Sequence, residues 1–167
     1  MTVPTSPVGS PRLPLLMTVP LERRAARVLL LDGDGRILLQ QCFDPSAPDA
    51  GSWWNTLGGG LDPDETAVQA AARELYEETG LRVPAGELGP VVHERQTAFD
   101  FGGSSYRQSE EYFLLRAEVF DAAPTVPSEL ELVAVLGTRW WTREELRSTQ
   151  ERVYPEELVE VLERLGA

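Results

Sequence analysis

The sequence predicts an α/β fold in which a mixed β-sheet lies between helices, and three observations support it. Two apolar runs, Arg27 to Asp32 and Ile37 to Phe43, flank a glycine-containing turn and are typical of a β-hairpin. A helix with its own start and stop signals follows a glycine triplet at residues 58–60. An amphipathic helix is predicted near residue 160, after further strand-like runs. This order of strands and helices places the sheet between helical layers.

The chain length fits one domain. With 167 residues, of which 42% are hydrophobic, the chain is long enough for one buried core and short for two domains. Residues 1–22 contain five prolines and little periodicity, so we predict a proline-rich arm there and a folded domain over residues 23–167. Residues 1–4 recur as residues 17–20, and we hypothesise that translation can begin at Met17.

Charge and cysteine content restrict the classes of partner and compartment. Fifteen arginines, no lysine and 27 acidic residues give a net charge of −12, which repels nucleic acid duplexes and anionic membrane surfaces. No apolar run reaches the roughly 20 residues that span a bilayer. Cys42 is the only cysteine and can form no intramolecular disulfide. We therefore expect a cytoplasmic protein with a small-molecule partner, and the sheet edges leave room for a homodimer.

The glycine triplet joins a short strand to the predicted helix. The strand covers Trp53 to Leu57, and Trp54 is expected to pack against the helix as a core residue. The glycines allow the backbone to approach a ligand closely. Residues 44–52, with two prolines and a glycine, form a loop that could border a pocket.

The helix is predicted over Ala67 to Thr79. Thr66 and Gln69 form a capping box at its start, and Gly80 supplies the left-handed residue that ends it. Its apolar stripe is expected to contain Val68, Ala71, Ala72 and Leu75.

Three carboxylates, Glu74, Glu77 and Glu78, lie at i, i+3 and i+4 on an adjacent face of this helix. Like charges at that spacing repel each other, and anions near a helix C-terminus are also disfavoured by the helix dipole. A positive partner should offset them. Carboxylate oxygens favour Mg²⁺, with Mn²⁺ as an alternative. A solvated acidic helix face is the simpler interpretation for an arbitrary pair of glutamates.

The spacing of the whole segment resembles the signature of the Nudix hydrolase family. Gly59 is followed after five residues by Glu65 and, after seven more, by the run Arg73 to Leu81, which together fill the fixed positions of the family's box. Leu57 stands where the family usually has proline. The resemblance implies an α/β/α sandwich and a metal-dependent enzyme that cleaves a diphosphate bond in a nucleoside diphosphate linked to another group.

The same resemblance implies roles for the box residues. Glu77 and Glu78 bind metal, and Glu74 binds metal or acts as the general base. Arg73 orients the glutamates, and the carbonyl oxygen of Gly59 is a further metal ligand.

A second hairpin, Val91 to Phe101 and Tyr106 to Val119, carries another acidic candidate. Glu110 and Glu111 face opposite sides of the strand, so at most one points at the box helix. Relatives often have an additional catalytic or metal-binding glutamate in this region. We choose Glu110, with a solvated strand-end acid as the alternative.

Three side chains are candidates for substrate contacts. Arg95 and Arg107 could bind phosphate through their guanidinium forks, and Trp53 could stack on a base. Surface ion pairs for the arginines and core packing for the tryptophan are the alternatives. His93, the only histidine, is expected to be a packed or surface residue.

The C-terminal region is predicted to complete the sheet and its second helical layer. After a proline-containing loop, a strand covers about Leu132 to Trp141, and Thr142 opens a short helix through a capping box. Pro155 opens a final helix that runs to about Leu165. Its apolar stripe should cover the sheet face opposite the box helix.

The predicted function is hydrolysis, in which water activated by metal and by Glu74 or Glu110 attacks a phosphorus atom. Nucleoside triphosphates, nucleotide sugars and ADP-ribose all fit as substrates. One alternative is a Nudix-fold sensor that binds nucleotides without turnover, although such proteins usually lose box glutamates. Another is isopentenyl-diphosphate isomerase, which would need Cys42 near the active site.

Overall fold

The computed structural model describes residues 19–125 and 133–167. These residues contain seven strands and three α-helices with both ends described. The strands are β1 (Leu21–Leu31), β2 (Ile37–Phe43), β3 (Ser52–Gly60), β4 (Val91–Phe101), β5 (Ser104–Arg116), β6 (Val135–Trp141) and β7 (Val153–Tyr154), and the helices are α1 (Ala67–Thr79), α2 (Arg143–Ser148) and α3 (Leu158–Arg164). No helix in the described part of the chain has both the length and the apolarity to cross a membrane.

All seven strands belong to one mixed sheet. Its order is β4-β5-β1-β2-β3-β7, and β6 pairs with β2 while part of β1 also pairs with β3. The β1–β5 and β3–β7 pairs are parallel, and the other pairs are antiparallel. The predicted mixed sheet is therefore confirmed.

Local signals explain the turns and helix ends. In the first hairpin, Oδ1 of Asp32 accepts the amides of Asp34 and Arg36, each over 2.9 Å. At the start of α1, the Thr66 hydroxyl accepts from the Gln69 amide, and the Gln69 side chain accepts from the Thr66 amide. The observed bounds of α1 are those predicted from the sequence.

Each face of the sheet carries its own apolar core. Helix α1 packs on one face, where Ala70, Ala71 and Leu75 meet Val28 and Leu57. Helix α3 packs on the other face together with both buried tryptophans; this second core includes Leu29, Leu31, Trp54, Trp141, Leu158, Val161 and Leu162. The predicted placement of the last helix opposite α1 is therefore confirmed.

Some predicted packing is wrong in detail. Trp54 is buried on the α3 face, edge-on to Trp141, and not against α1 as expected. The alternation of side chains along β3 explains this, because Leu57 takes the α1 face and Trp54, three residues earlier, takes the other. The predicted apolar stripe of α1 is confirmed, since Ala71 and Leu75 are buried and the half-buried Val68 and Ala72 pack against the same core. Ala67 and Ala70 are buried there as well.

The strand limits also differ from the predictions. β1 begins at Leu21 instead of Arg27, because its first, charged half pairs with β5 in register from Leu21 opposite Tyr106. Leu21 and Glu22, predicted to belong to the proline-rich arm, are thus in the sheet, and residues 1–18 of that arm lie outside the described residues. Strand β7 was not predicted, and α3 starts three residues after Pro155.

Candidate active site

The end of β3 meets helix α1 at the glycine triplet. Gly58 has a φ of +116°, and a Cβ there would lie 2.1 Å from the carbonyl oxygen of Ala26. The Gly58 amide donates to Oε2 of Glu78 over 2.7 Å. A Cβ on Gly59 would lie 2.5 Å from Oε1 of Glu74. The two glycines therefore allow the strand to approach two α1 carboxylates more closely than a residue with a side chain could.

Arg73 binds three carboxylates at once. Its guanidinium donates to both oxygens of Glu65 over 2.9 and 2.8 Å, to Glu74 over 2.8 Å and to Glu77 over 3.3 Å. It also donates to the carbonyl oxygen of Gly60 over 2.9 Å. The hydrogen bonds to Glu65, followed by those to Glu74, raise the pKa of Arg73 despite its partial burial. One permanently charged side chain thus offsets the repulsion among the glutamates.

The three α1 glutamates differ in exposure. Glu74 is 7% exposed and Glu78 is 6% exposed, whereas Glu77 is half-buried. The sequence placed all three on a face beside the apolar stripe, but Glu74 and Glu78 lie within the buried face. Among residues 19–125 and 133–167, no three acidic, histidine or cysteine side chains form a ready-made metal cluster. Glu74 and Glu77 are instead turned towards Arg73.

A second charged group, here called the Glu110 cluster, consists of Glu110, Gln108 and Tyr112 on β5, Arg27 on β1 and Arg95 on β4. Glu110 shares a strand face with Tyr112, which packs in the α3-side core, so its choice as the acid that points at the box helix is wrong. Glu110 is 3% exposed. Its carboxylate accepts from Arg27 over 3.0 Å, from Arg95 over 2.5 Å, from Gln108 over 2.8 Å and from the Tyr112 hydroxyl over 2.7 Å. Burial alone would raise the pKa of Glu110, but Arg27, Tyr112 and Arg95 lower it to about 2.

Arg27 connects the Glu110 cluster to the glycine triplet. Its Nη1 donates to the carbonyl oxygen of Gly58 over 2.8 Å, while its Nε binds Glu110. Because the Gly58 amide binds Glu78, a continuous path of contacts runs from Glu110 through Arg27 and Gly58 to α1. Sequence reasoning missed Arg27. An arginine directly before the apolar run 28–31 was the signal that could have identified it.

The predicted substrate-contact residues lie elsewhere. Arg95 is held by Glu110 and, over 3.5 Å, by Glu157. Arg107 is exposed and lies 3.7 Å from Glu22. Trp53 is half-buried, with its ring edge-on to Phe101 at 6.4 Å. The structure therefore joins Arg95 to Glu110, but shows no contact of Arg107 or Trp53 with the α1 glutamates among the described residues.

The structure also gives the positions of His93, expected to be a packed or surface residue, and of Cys42, which an isomerase would need. His93 lies 3.2 Å from Glu157 and 3.2 Å from Arg164, and so joins β4 to the α3 region as a packed residue. Cys42, which an isomerase would need near its active site, is on β2 opposite Trp53, with its sulfur 3.7 Å from the Gln40 side chain.

Comparison with known proteins places the chain in a family. The profile of the NUDIX domain matches residues 21–164. The CTP pyrophosphohydrolase of Escherichia coli (strain K12) is 38% identical over 69 residues, which cover 41% of this chain and 49% of that protein. The RNA pyrophosphohydrolase of Sphingopyxis alaskensis is 34% identical over 104 residues, covering 56% of this chain and 62% of that protein. The matches thus span less than two thirds of these relatives' length.

A solved structure gives the same architecture. The crystal structure of the MutT protein from Methanosarcina mazei Go1 superposes with a TM-score of 0.63 at 22% identity, covering 88% of this chain and 94% of that one. At this identity the likeness shows the fold alone, and it confirms the predicted α/β/α sandwich. Because the NUDIX domain profile matches most of its length, the chain belongs to the Nudix family.

Proposed function

We propose that this protein is a metal-dependent hydrolase that cleaves a diphosphate bond in a nucleoside diphosphate linked to another group. The observation that carries the proposal is the set of Glu74, Glu77 and Glu78 on one side of α1, with Arg73 holding two of them beside the glycine triplet. The names of the two relatives, CTP pyrophosphohydrolase and RNA pyrophosphohydrolase, support this class of reaction.

The residues at this site fit a divalent cation. The donors are carboxylate oxygens and the Gly59 carbonyl oxygen, which are hard ligands of the kind that Mg²⁺ and Mn²⁺ prefer. The missing side chain of Gly59 leaves space in front of Glu74 that a Cβ would fill. We propose that Glu74, Glu77, Glu78 and the Gly59 carbonyl hold Mg²⁺, with Mn²⁺ as an alternative. When bound, the cation supplies positive charge that compensates the diphosphate.

The other proposed roles belong to residues of the chain itself. Arg73 orients Glu74 and Glu77, and the Gly58 amide orients Glu78. We assign the general base to Glu74. A water oxygen forms a bond to one phosphorus atom, its proton passes to Glu74, and the bridging P–O bond breaks.

Glu110 has a different part in this proposal. Its carboxylate already accepts four hydrogen bonds and its pKa is about 2, so it is a poor proton acceptor near neutral pH. Glu110 instead positions Arg27, which in turn holds the Gly58 carbonyl. Arg95, Arg107 and Trp53 remain proposed substrate contacts, and of these Arg95 is also an ion-pair partner of Glu110.

The compartment and assembly are also proposals. Cys42 is the only cysteine of the chain, so no intramolecular disulfide can form, which suits a reducing cytoplasm. Strand β4 lies at the end of the sheet order, and its outer side could pair with a second copy in a homodimer. Sedimentation velocity at several protein concentrations would test the dimer, and a single monomeric species throughout would contradict it.

A phosphate-release screen tests the proposed function. Purified protein is incubated with nucleoside triphosphates including CTP, nucleotide sugars, ADP-ribose and RNA bearing a 5′-triphosphate, with Mg²⁺ or Mn²⁺. The matched controls are Glu78→Gln, which removes one proposed ligand charge, and Glu87→Gln, an acid on a short turn outside the site. We expect Glu78→Gln to lose at least about tenfold in kcat and Glu87→Gln to match the parent. Full activity of Glu78→Gln on a substrate that the parent cleaves would contradict the proposal.

A further inference from the structure

Three arginines near the candidate site are already bound to carboxylates. Arg73 binds glutamates of α1 and the preceding turn, and Arg27 and Arg95 share Glu110. Together with Glu157, which lies 3.5 Å from Arg95, these carboxylates balance the three positive charges within the protein. A substrate that carries several negative charges would meet an acidic helix and arginines that already have partners.

Arg23, on β1, differs from these three arginines in its contacts. It is exposed, and no hydrogen bond or ion pair of its guanidinium is found among residues 19–125 and 133–167. Desolvation of the guanidinium and then repulsion by Arg27 lower the pKa of Arg23, while Tyr106, Glu74 and Glu110 act in the opposite direction. Arg23 is thus a cation next to the site that forms no ion pair within 4 Å in the described part of the chain.

Its guanidinium lies against the glycine triplet. Nε and Nη2 of Arg23 are each 2.8 Å from the position that a Cβ on Gly60 would take. The carbonyl oxygen of the same glycine accepts a hydrogen bond from Arg73 over 2.9 Å. Two guanidinium groups therefore contact Gly60, of which one holds the glutamates and the other is available to an anion.

A buried acceptor without a partner lies beside Arg23 in the sheet. Gln108 is opposite Arg23 in the β1–β5 ladder and is 2% exposed. Its Nε2 donates to Glu110, but its Oε1 has no hydrogen-bond partner within the described chain. Buried polar atoms without partners are rare, and they often mark a place where a ligand or water completes the structure. The Gln108 acceptor suits a hydroxyl group or a water, because a phosphate oxygen cannot donate to it, so the anion-binding group on this part of β1 and β5 is the Arg23 guanidinium.

We propose that Arg23 is a phosphate-positioning residue, which binds a phosphate of the substrate next to Gly60. This role rests on the proposed function. A guanidinium presents two parallel N–H donors that match two phosphate oxygens. A Cβ on Gly60 would displace the Arg23 guanidinium from this position, so the glycine allows the close approach.

The variants Arg23→Gln and Arg23→Lys test the proposal against Arg24→Gln. Arg24 is the neighbouring residue, points to the other face of β1 and pairs with Glu111 at an exposed position. Arg24→Gln therefore removes the same charge as Arg23→Gln, but outside the proposed phosphate site. Binding of inorganic pyrophosphate in the presence of Mg²⁺ is measured by calorimetry for each protein, and kcat and KM are measured on any substrate that the parent cleaves. Thermal unfolding of each variant checks that the fold is kept.

We expect Arg23→Gln to weaken pyrophosphate binding by roughly ten- to a hundredfold and to raise KM more than it lowers kcat. Arg23→Lys should fall between, because a lysine keeps the charge without the fork. Arg24→Gln should stay within about twofold of the parent. Equal pyrophosphate affinity of Arg23→Gln and Arg24→Gln would overturn the proposal, as would a parent protein that binds no pyrophosphate. Because this readout needs no turnover, it separates failure of Arg23's role from failure of the proposed hydrolysis.

Discussion

Replacing Glu110 by glutamine should destabilise the protein, because it removes the only charge that the Glu110 cluster supplies to two poorly exposed arginines. The side chains of Arg27 and Arg95 are 13% and 17% exposed. Removing one partner of a buried ion pair typically costs about 3–5 kcal/mol. Arg27 keeps the Gly58 carbonyl and Arg95 keeps Glu157 at 3.5 Å, so the low end of that range, about 3 kcal/mol, is expected.

The pKa of Glu110 gives a similar figure. The folded value of about 2, against an ordinary value of 4.5, corresponds to about 3 kcal/mol of stability at neutral pH. Because the folded pKa is depressed, this stabilisation is present above pH 4.5 and is lost as the pH falls towards 2. The stability difference between the parent and Glu110→Gln should therefore shrink over that interval.

Urea unfolding at pH 7 and at successively lower pH measures this difference. The matched control is Glu111→Gln, which removes the adjacent acid on the other face of β5, where its partner Arg24 is 62% exposed. That variant should lose less than about 1 kcal/mol. At pH 7 the Glu110→Gln protein should also unfold about 6–12 °C below the parent. Equal stabilities of the Glu110→Gln and Glu111→Gln proteins at neutral pH would refute the reasoning.

Three other predictions concern the glycine triplet, the helix and the metal. Gly59→Ala should reduce hydrolysis by at least about tenfold, because the new Cβ would lie 2.5 Å from Glu74. Gly86→Ala is the control, since Gly86 has open space around it, and it should not reduce hydrolysis. Equal kcat/KM for the two variants would contradict the prediction. Thr66→Ala removes the N-cap of α1 and should lower the free energy of unfolding by about 1 kcal/mol in urea titration, and an unchanged midpoint would contradict the capping role. Chelation of divalent metal should abolish hydrolysis, and Mg²⁺ or Mn²⁺ should restore it with unchanged far-ultraviolet circular dichroism; hydrolysis that persists in chelator would exclude the proposed metal role.

Helix α1 could be predicted from the sequence because its signals are local. The capping box at Thr66 and the left-handed Gly80 lie within a few residues of the ends that they fix, and both occur in the structure. The role of Arg73 was implied by the resemblance to the Nudix box, and in the structure Arg73 hydrogen-bonds to Glu74 and Glu77.

The roles of the β1 arginines could not be predicted in this way. Arg27 meets Glu110 and Gly58 only because β1 pairs with β5 on one side and with β3 on the other. Those pairings join segments that are far apart in the sequence. In addition, the charged residues at the start of β1 do not have the apolar pattern from which a strand is predicted. Trp54 was assigned to the wrong face for a related reason, since the face of a strand residue depends on where its alternation starts.

The two hydrogen bonds made by the Gly58 backbone have a consequence for protein engineering. Its nitrogen fixes Glu78 and its oxygen fixes Arg27, so one residue without a side chain joins the helix carboxylates to the hairpin. Substitutions selected in β5 for a new specificity should therefore show epistasis with substitutions in the helix. A library that varies both regions together would find combinations that stepwise selection misses.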